Sequence, residues 1–171
     1  DGSNAMIAEG GRVSLAAIRA ARTTFSGGER YNRSVTPLTL VTIGPGHRNL
    51  DFAALYEECF GIPPHKGLDN SDPERASAIL RDTLEYWVAL KTAKILPAGA
   101  LLLIDGALRV SSQNHEPVLA DIIKTAQERK LLLAAVAKRT RATWGSGHPL
   151  LPALSGLVAQ LGIAGPWWVK I

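Results

Sequence analysis

Asp105 occupies the position in this sequence at which a carboxylate is best placed to do chemistry. It follows the apolar run Ala100 to Ile104 and precedes Gly106. An aspartate at the carboxyl end of a buried strand faces the crevice in which α/β proteins bind ligands, and a following glycine allows a sharp turn. The pattern favours a metal-binding or catalytic aspartate. The alternative is a structural aspartate that caps the end of the strand.

The start of the chain, Asp1-Gly2-Ser3, repeats the Asp-Gly dipeptide of residues 105 and 106. A strand preceding Asp1 would make this residue a second strand-end aspartate. Ser3-Asn4-Ala5-Met6, on the other hand, has the form of residues that an expression tag leaves before a start methionine. The sequence alone leaves both interpretations open.

Glu85 lies in the middle of a predicted helix, four residues after Arg81 and three after Asp82. The pattern by itself favours a solvated helix face with an ion pair worth a few tenths of a kcal/mol. A functional role requires the helix to pack so that Glu85 meets Asp105. Carboxylates brought together repel each other and need a cation between them, and hard oxygen ligands suit Mg²⁺ or Mn²⁺.

A basic segment near residue 140 mixes cations with an aromatic side chain: Lys138, Arg139, Arg141 and Trp144. Such a segment can bind phosphates and stack a base. A solvated basic loop is the alternative. The net charge of +4 permits binding to a polyanion without requiring it. His115 and His148 lack the spacing to a cysteine that a structural zinc site needs.

Composition limits the class of protein. A chain of 171 residues fits one domain, and 46% apolar with 20% charged residues excludes a disordered chain or a coiled coil. The longest apolar run, Leu131 to Ala137, is too short to cross a bilayer, and no signal-peptide pattern is present. Cys59 is the single cysteine, which excludes an intramolecular disulfide and favours the cytoplasm.

Hydrophobic periodicity and turn residues predict a mixed α/β fold. The apolar run before Asp105 predicts a central strand covered on both sides. Strand–helix–strand alternation from residue 100 onward predicts a βαβ unit with parallel strands, and the earlier strands are expected to pair antiparallel. Residues 12–22 fit a strand or, by their alanines, a helix, and the flanking glycines favour the strand. The other predicted elements are polar loop 24–34, strand 35–43, helix 50–60, loop 61–72, helix 73–94, strand 100–104, helix 117–130, strand 131–137, basic loop 140–148, helix 150–161 and strand 167–171.

The order of these motifs resembles the NurA nuclease family. The matching segments are Asp1-Gly2-Ser3, residues 12–21 (Arg-Val-Ser-Leu-Ala-Ala-Ile-Arg-Ala-Ala), residues 81–85 (Arg-Asp-Thr-Leu-Glu), residues 102–108 (Leu-Leu-Ile-Asp-Gly-Ala-Leu) and residues 135–139 (Ala-Val-Ala-Lys-Arg). The resemblance implies an RNase H-like mixed sheet with helices on its faces. It also implies Mn²⁺ (or Mg²⁺) bound by Asp1, Glu85 and Asp105, with Lys138 at the edge of the site.

The activity implied by the resemblance is that of a 5′–3′ exonuclease and single-strand endonuclease in DNA end resection. Its partners would be DNA, a HerA-type ATPase and a second copy in a homodimer. Relative to the family, residues 1–171 are expected to form a single nuclease domain that lacks the first strand and the C-terminal segment with its tyrosine and histidine. The alternatives are a catalytically incomplete DNA-binding or HerA-docking module, and an unrelated α/β domain whose acidic residues are structural.

Overall fold

The computed structural model describes residues 1–10, 13–44, 50–69, 71–136, 143–144 and 147–165. Contacts divide the chain into two units, Asp1–Val136 and Ala137–Ile171. Sheets and helices occur together in the first unit, which confirms the mixed α/β class. The expectation of one domain over residues 1–171 stays a prediction.

Four strands form an antiparallel sheet in the first unit: β1 (Gly2–Gly10), β2 (Val13–Ser26), β3 (Glu29–Val35) and β4 (Thr39–Ile43). The first half of β2, the longest strand, pairs with β1 on one side, with Gly2 opposite Ala20, and with β4 on the other side. The second half of β2 pairs with β3 on the same side as β4, so that Ala21 is opposite Val35.

The structure corrects the predictions for this sheet in three places. β1 was not predicted. The expected polar loop 24–34 is wrong, because β2 and β3 form a hairpin whose turn uses positive φ at Gly27 and Gly28. The expected strand 35–43 is split around Pro37 into the end of β3 and β4. All of β3 is exposed, so it lacks the apolar alternation that predicts a half-buried strand.

Two helices precede the second sheet: α1 (Leu50–Phe60) and α2 (Pro73–Ala93), as predicted. The Asp72 side chain caps α2 by accepting a hydrogen bond from the Arg75 amide at 3.0 Å. α2 packs against β1 and β2. The largest fully buried apolar side chains are Tyr56, Phe52, Ile18, Ile43, Leu80 and Ile122.

A βαβ unit follows, as predicted: β5 (Leu101–Asp105), α3 (Glu116–Glu128) and β6 (Leu132–Val136), with the two strands parallel. These strands form a sheet of their own, so a single mixed sheet is not what the described residues show. The prediction that β5 is covered on both sides is also wrong. Leu102 and Ile104 are buried, whereas Leu101 and Leu103 are 56% and 55% exposed.

The described residues of the second unit form a short hairpin and a helix: β7 (Thr143–Trp144), β8 (His148–Pro149) and α4 (Leu150–Gln160). Leu150 and Leu154 are the buried residues of α4. The predicted strand 167–171 lies outside the described residues. Among the helices described, none combines the length and the apolar character that crossing a membrane requires.

Candidate functional site

A cavity of about 490 Å³ lies between β2 and β5, and the three predicted acidic ligands line it. Asp1 precedes β1, Glu85 belongs to α2, and Asp105 ends β5. The cavity is thus lined by residues that are 84 and 20 positions apart in sequence. Their role as metal ligands stays a prediction.

Backbone hydrogen bonds hold the two aspartates at the cavity. The Asp1 amine donates to the Ala21 carbonyl at 3.0 Å, and the Ala21 amide donates to the Asp1 carbonyl at 2.8 Å. Asp1 therefore continues the pairing of β1 with β2 by one residue, and the interpretation of a strand-end aspartate stays a prediction. After Asp105 the chain turns at Gly106, whose φ of 97° favours glycine and whose amide donates to Val136 at 2.9 Å.

Glu85 is packed against β1 instead of facing solvent. Its side chain is 20% exposed, and its Oε1 accepts a hydrogen bond from the Gly2 amide and lies 3.9 Å from the Arg81 Nε. The predicted ion pair with Arg81 is present, but the interpretation of a solvated helix face is wrong. Burial and the charge of Asp82 raise the pKa of Glu85, against the opposing effects of Arg81 and the Gly2 amide.

The close approach between β1 and α2 depends on the missing side chain of Gly2. A Cβ at this position would lie 2.5 Å from the Glu85 Oε1 and 2.7 Å from the Arg81 Cγ. Glycine therefore allows the backbone amide to reach the carboxylate. This gives the Asp-Gly dipeptide at the start of the chain a structural role that the sequence did not indicate.

Arg81 places a positive charge among the acidic side chains. Its guanidinium donates two hydrogen bonds to Asp82 Oδ1, of which the shorter is 2.6 Å, and one to Asn4 Oδ1 at 3.2 Å. Burial by itself lowers the pKa of Arg81, but the bond to Asp82 and the charges of Asp82, Glu85 and Asp105 outweigh it and raise the pKa. The guanidinium therefore stays charged and partly neutralises the site.

Asp82 is a site residue whose role the sequence reasoning missed. Its Oδ2 accepts from the Ser111 hydroxyl at 2.6 Å, while its Oδ1 binds Arg81. The available signal was its position three residues before Glu85, which places both side chains on neighbouring turns of one helix. Asn4 was also missed: besides its bond to Arg81, it donates to the Ser77 hydroxyl at 2.6 Å.

The donors at this cavity fit a hard divalent cation in type but do not form a complete set. Carboxylate oxygens are the ligands that Mg²⁺ and Mn²⁺ prefer. Among the described residues, however, no three Asp, Glu, His or Cys side chains are grouped so that they could hold a metal ion. Glu85 already accepts from Gly2 and faces Arg81. Ligation of a metal by Glu85 would compete with these two contacts.

A buried polar network supports α2 beside the site. His115 is fully buried, and its Nε2 lies 2.9 Å from the Thr83 hydroxyl oxygen. The Thr83 hydroxyl donates to the Ile79 carbonyl at 3.0 Å, so Nε2 of His115 must be the donor to Thr83. Burial lowers the pKa of His115 to about 4, although the charge of Asp82 acts in the opposite direction.

The predicted DNA-binding residues Lys138, Arg139 and Arg141 lie outside the described residues. The backbone of Trp144 belongs to β7, but its side chain is outside the described part of the structure as well. DNA binding by these residues stays a prediction.

Comparisons of this chain with protein-family models, with curated proteins and with solved structures found no match. The resemblance to the NurA family therefore rests on the sequence motifs alone. The structure adds that the three acidic residues carried by those motifs line one cavity.

Proposed function

We propose that this chain is a metal-dependent deoxyribonuclease with an RNase H-like arrangement of its acidic residues. The observation that carries the proposal is the shared cavity of Asp1, Glu85 and Asp105, which come from three separate elements. Carboxylates gathered at the end of a strand are suited to hold Mn²⁺ or Mg²⁺. By the NurA resemblance, the substrate is DNA and the setting is end resection in the cytoplasm with a HerA-type ATPase.

The chemistry assigned to the side chains follows from their surroundings. A divalent cation, when bound, would supply an activated water and stabilise the leaving oxygen of the phosphodiester. Asp1 and Asp105 would hold it through their carboxylates. Glu85 would be a third ligand or would accept a proton from water, a role favoured by its raised pKa. Arg81, already charged beside these groups, would contact a phosphate oxygen.

Contacts with DNA away from the cavity are assigned to the basic segment. Lys138, Arg139 and Arg141 would bind backbone phosphates, and Trp144 would stack on a base. Lys138 would lie at the edge of the site, as the family resemblance implies. These contacts would give binding energy that depends on salt concentration and is largely independent of DNA sequence.

A second candidate is a catalytically incomplete DNA-binding or HerA-docking module of the same family. The observation that favours it is that no three potential ligands are grouped for a metal among the described residues. Glu85 is instead bonded to Gly2 and paired with Arg81. This candidate predicts DNA binding without Mn²⁺-dependent digestion.

The deciding experiment compares Asp105→Asn with Asp121→Asn in a digestion assay on 5′-labelled single-stranded and duplex DNA with Mn²⁺. Asp121 is an exposed residue of α3, so its substitution controls for the loss of one negative charge. The proposal expects Asp105→Asn to lower the rate by at least about 100-fold, because metal catalysis supplies several kcal/mol. Asp121→Asn should leave the rate unchanged.

Thermal unfolding with and without Mn²⁺ separates ligation from a structural role. A bound ion stabilises the folded chain, so Mn²⁺ should raise the Tm of the wild type and of Asp121→Asn but not of Asp105→Asn. Without metal, Asp105→Asn should hold or raise the Tm because carboxylate repulsion is relieved. If Asp105→Asn has a lower Tm than wild type in both conditions, and Mn²⁺ does not change the Tm of wild type, Asp105 is structural.

A further inference from the structure

All cationic side chains of the four-stranded sheet belong to β2 and β3, and they are Arg19, Arg22, Arg30 and Arg33. Successive side chains of a strand point to opposite faces of the sheet, whereas residues that are paired across two antiparallel strands share a face. The strand register therefore determines which of these arginines lie together.

The even-numbered positions of β2 point toward the helices. Ala16, Ile18 and Ala20 are at most 1% exposed and belong to the core to which α2 also contributes. Arg19 points the other way: it is exposed, and its Nε donates to the Ser3 hydroxyl of the neighbouring strand at 3.3 Å. The odd-numbered positions of β2 thus form the face of the sheet that is turned away from α2.

The pairing of β2 with β3 adds two arginines to this outer face. Arg33 lies opposite Thr23, and Arg30 lies opposite Phe25. The register shifts by one residue between these two pairs on the β3 side, so Tyr31 is the additional residue and both pairs keep their face. The arginine face comprises the side chains that share this side: Arg19, Thr23, Phe25, Arg30 and Arg33.

The arginine face has an excess of positive charge. The two acidic residues of the four strands, Glu9 and Glu29, are paired with even-numbered positions of β2 and therefore lie on the other face. Among the described residues, none forms an ion pair with an arginine of this face. The three arginines outnumber the carboxylate of Asp1, which adjoins the face through its bonds to Ala21. Such a surface attracts a polyanion, because guanidinium groups bind phosphate oxygens through two parallel hydrogen bonds.

Exposed aromatic side chains lie at the same end of the hairpin as two of the arginines. Phe25 is 64% exposed on the arginine face, and Tyr31, in the bulge beside it, is 79% exposed. Rings beside cations suit single-stranded nucleic acids, because unpaired bases stack on the rings while backbone phosphates contact arginine. A duplex hides the faces of its bases. An apolar protein layer is a poor fit, since covering the face would bury three guanidinium groups without partners.

The length of the arginine face suits several nucleotides. Arg30 lies opposite Phe25, which is six positions from Arg19, so the two arginines are about 20 Å apart at about 3.4 Å per residue. Arg33, opposite Thr23, lies between them. A stacked strand rises about 3.4 Å per nucleotide, so about six nucleotides span this distance.

We propose that the arginine face binds single-stranded nucleic acid, with phosphates on Arg19, Arg30 and Arg33 and a base stacked on Phe25. Strands and sheets that hold nucleic acids in this way are known in several folds. The binding requires neither a metal nor the carboxylates of the candidate site, so it is independent of the proposed cleavage. It is also separate from the contacts assigned to the basic segment near residue 140.

The test measures binding of the full chain to fluorescently labelled oligothymidine of about 12 nucleotides by anisotropy, without divalent metal and at several salt concentrations. Arg30→Ala/Arg33→Ala is compared with wild type and with a matched control, Arg75→Ala/Lys124→Ala. Arg75 and Lys124 are exposed residues of α2 and α3, so the control removes the same charge from the helices. A further variant, Phe25→Leu, removes the ring but keeps an apolar side chain.

The expected result is a plot of log affinity against log salt whose slope is shallower by about 1.4 for Arg30→Ala/Arg33→Ala, since each phosphate contact with a single strand contributes about 0.7. The control should keep the wild-type slope. Phe25→Leu should bind at least about fivefold more weakly at every salt concentration, because it loses a stacking contact. Oligouridine measured in parallel distinguishes RNA from DNA, and binding of either one supports the proposal.

Several outcomes would overturn the proposal: no binding by wild type, equal slopes for the two double variants, or an unchanged affinity of Phe25→Leu. Displacement of the oligonucleotide by polyglutamate at equal charge concentration would also overturn it, since the face would then bind acidic proteins as well as nucleic acid.

Crosslinking of the wild type tests the same surface without relying on the folding of any variant. An oligonucleotide that carries iododeoxyuridine is irradiated in the complex, and the attached peptide is identified by mass spectrometry. Attachment at Phe25 or Tyr31 supports the proposal, and attachment confined to residues outside β2 and β3 contradicts it. Digestion is not measured in either experiment, so failure here and failure of the nuclease proposal are distinguishable.

Discussion

Acidification should destabilise this protein through one buried histidine. In the fold, Nε2 of His115 donates to Thr83, and among the described residues Nδ1 is buried without a hydrogen-bond partner. A proton added at Nδ1 would create a buried charge whose neighbours are the rings of Tyr56 and Tyr86 and the more distant carboxylate of Asp82. This explains why burial lowers the pKa of His115.

The size of the effect follows from the two pKa values. The pKa of His115 is about 4 in the fold and 6.5 ordinarily. The unfolded chain therefore binds the proton first as the pH falls, and stability is lost from about pH 6.5 down to about pH 4. A tenfold change in proton affinity is worth about 1.4 kcal/mol, so the full loss is about 3 kcal/mol, of which about 2 kcal/mol is reached at pH 5.

Urea unfolding between pH 8 and pH 5 measures this loss. His115→Gln removes the titrating group, and His65→Gln, which replaces an exposed histidine, is the matched control. The free-energy advantage of wild type over His115→Gln should shrink by about 2 kcal/mol across this range, and the difference between wild type and His65→Gln should stay nearly constant. An advantage over His115→Gln that does not change with pH would refute the reasoning.

Three further predictions concern the site and the basic segment. Gly2→Ala should lower the free energy of unfolding by about 1–3 kcal/mol, because the added methyl group overpacks against Glu85. Gly10→Ala should lower it by less than about 0.5 kcal/mol, because the new Cβ would come no nearer than 3.8 Å to another group. Similar losses for the two variants would refute the close approach of Gly2 to Glu85. Because the pKa of Glu85 is raised in the fold, its stabilising contribution is present below pH 4.5 and is lost as the pH rises through the higher folded pKa. Glu85→Gln should therefore raise the Tm at pH 7 and not at pH 4. A lower Tm of this variant at pH 7 would contradict the reasoning. Replacing Arg139 and Arg141 by Ala should reduce the salt dependence of DNA affinity by a slope of about 2, and an unchanged slope would indicate a solvated loop.

Local sequence patterns were sufficient for the helices and for the βαβ unit. The start of α2 is determined by a capping aspartate and Pro73, and its length by apolar residues at helical spacing, all of which act within a few residues. The apolar run of β5 and the Asp105-Gly106 turn are also local signals. Asp105 could therefore be predicted as a candidate site residue from sequence alone.

The antiparallel sheet was harder to predict because its signals depend on partners. β3 is exposed along its whole length and is held by pairing with β2, so its own residues show no apolar alternation. The apolar run of β5 predicted that both faces of the strand are buried, but such a run indicates only which residues favour burial. Whether another element covers Leu101 and Leu103 is decided by how the rest of the chain packs.

The environment of the acidic residues was decided by tertiary structure. The sequence shows Glu85 and Arg81 one helical turn apart, a spacing that equally describes a solvated ion pair. In the fold Glu85 is packed against β1 and accepts a hydrogen bond from the Gly2 amide, 83 positions away in sequence, which reaches the carboxylate because glycine has no side chain to block it. The sequence by itself therefore determined which residues carry the candidate chemistry, and long-range packing determined the burial of Glu85, the direction of its pKa shift and the cavity that the three acidic residues share.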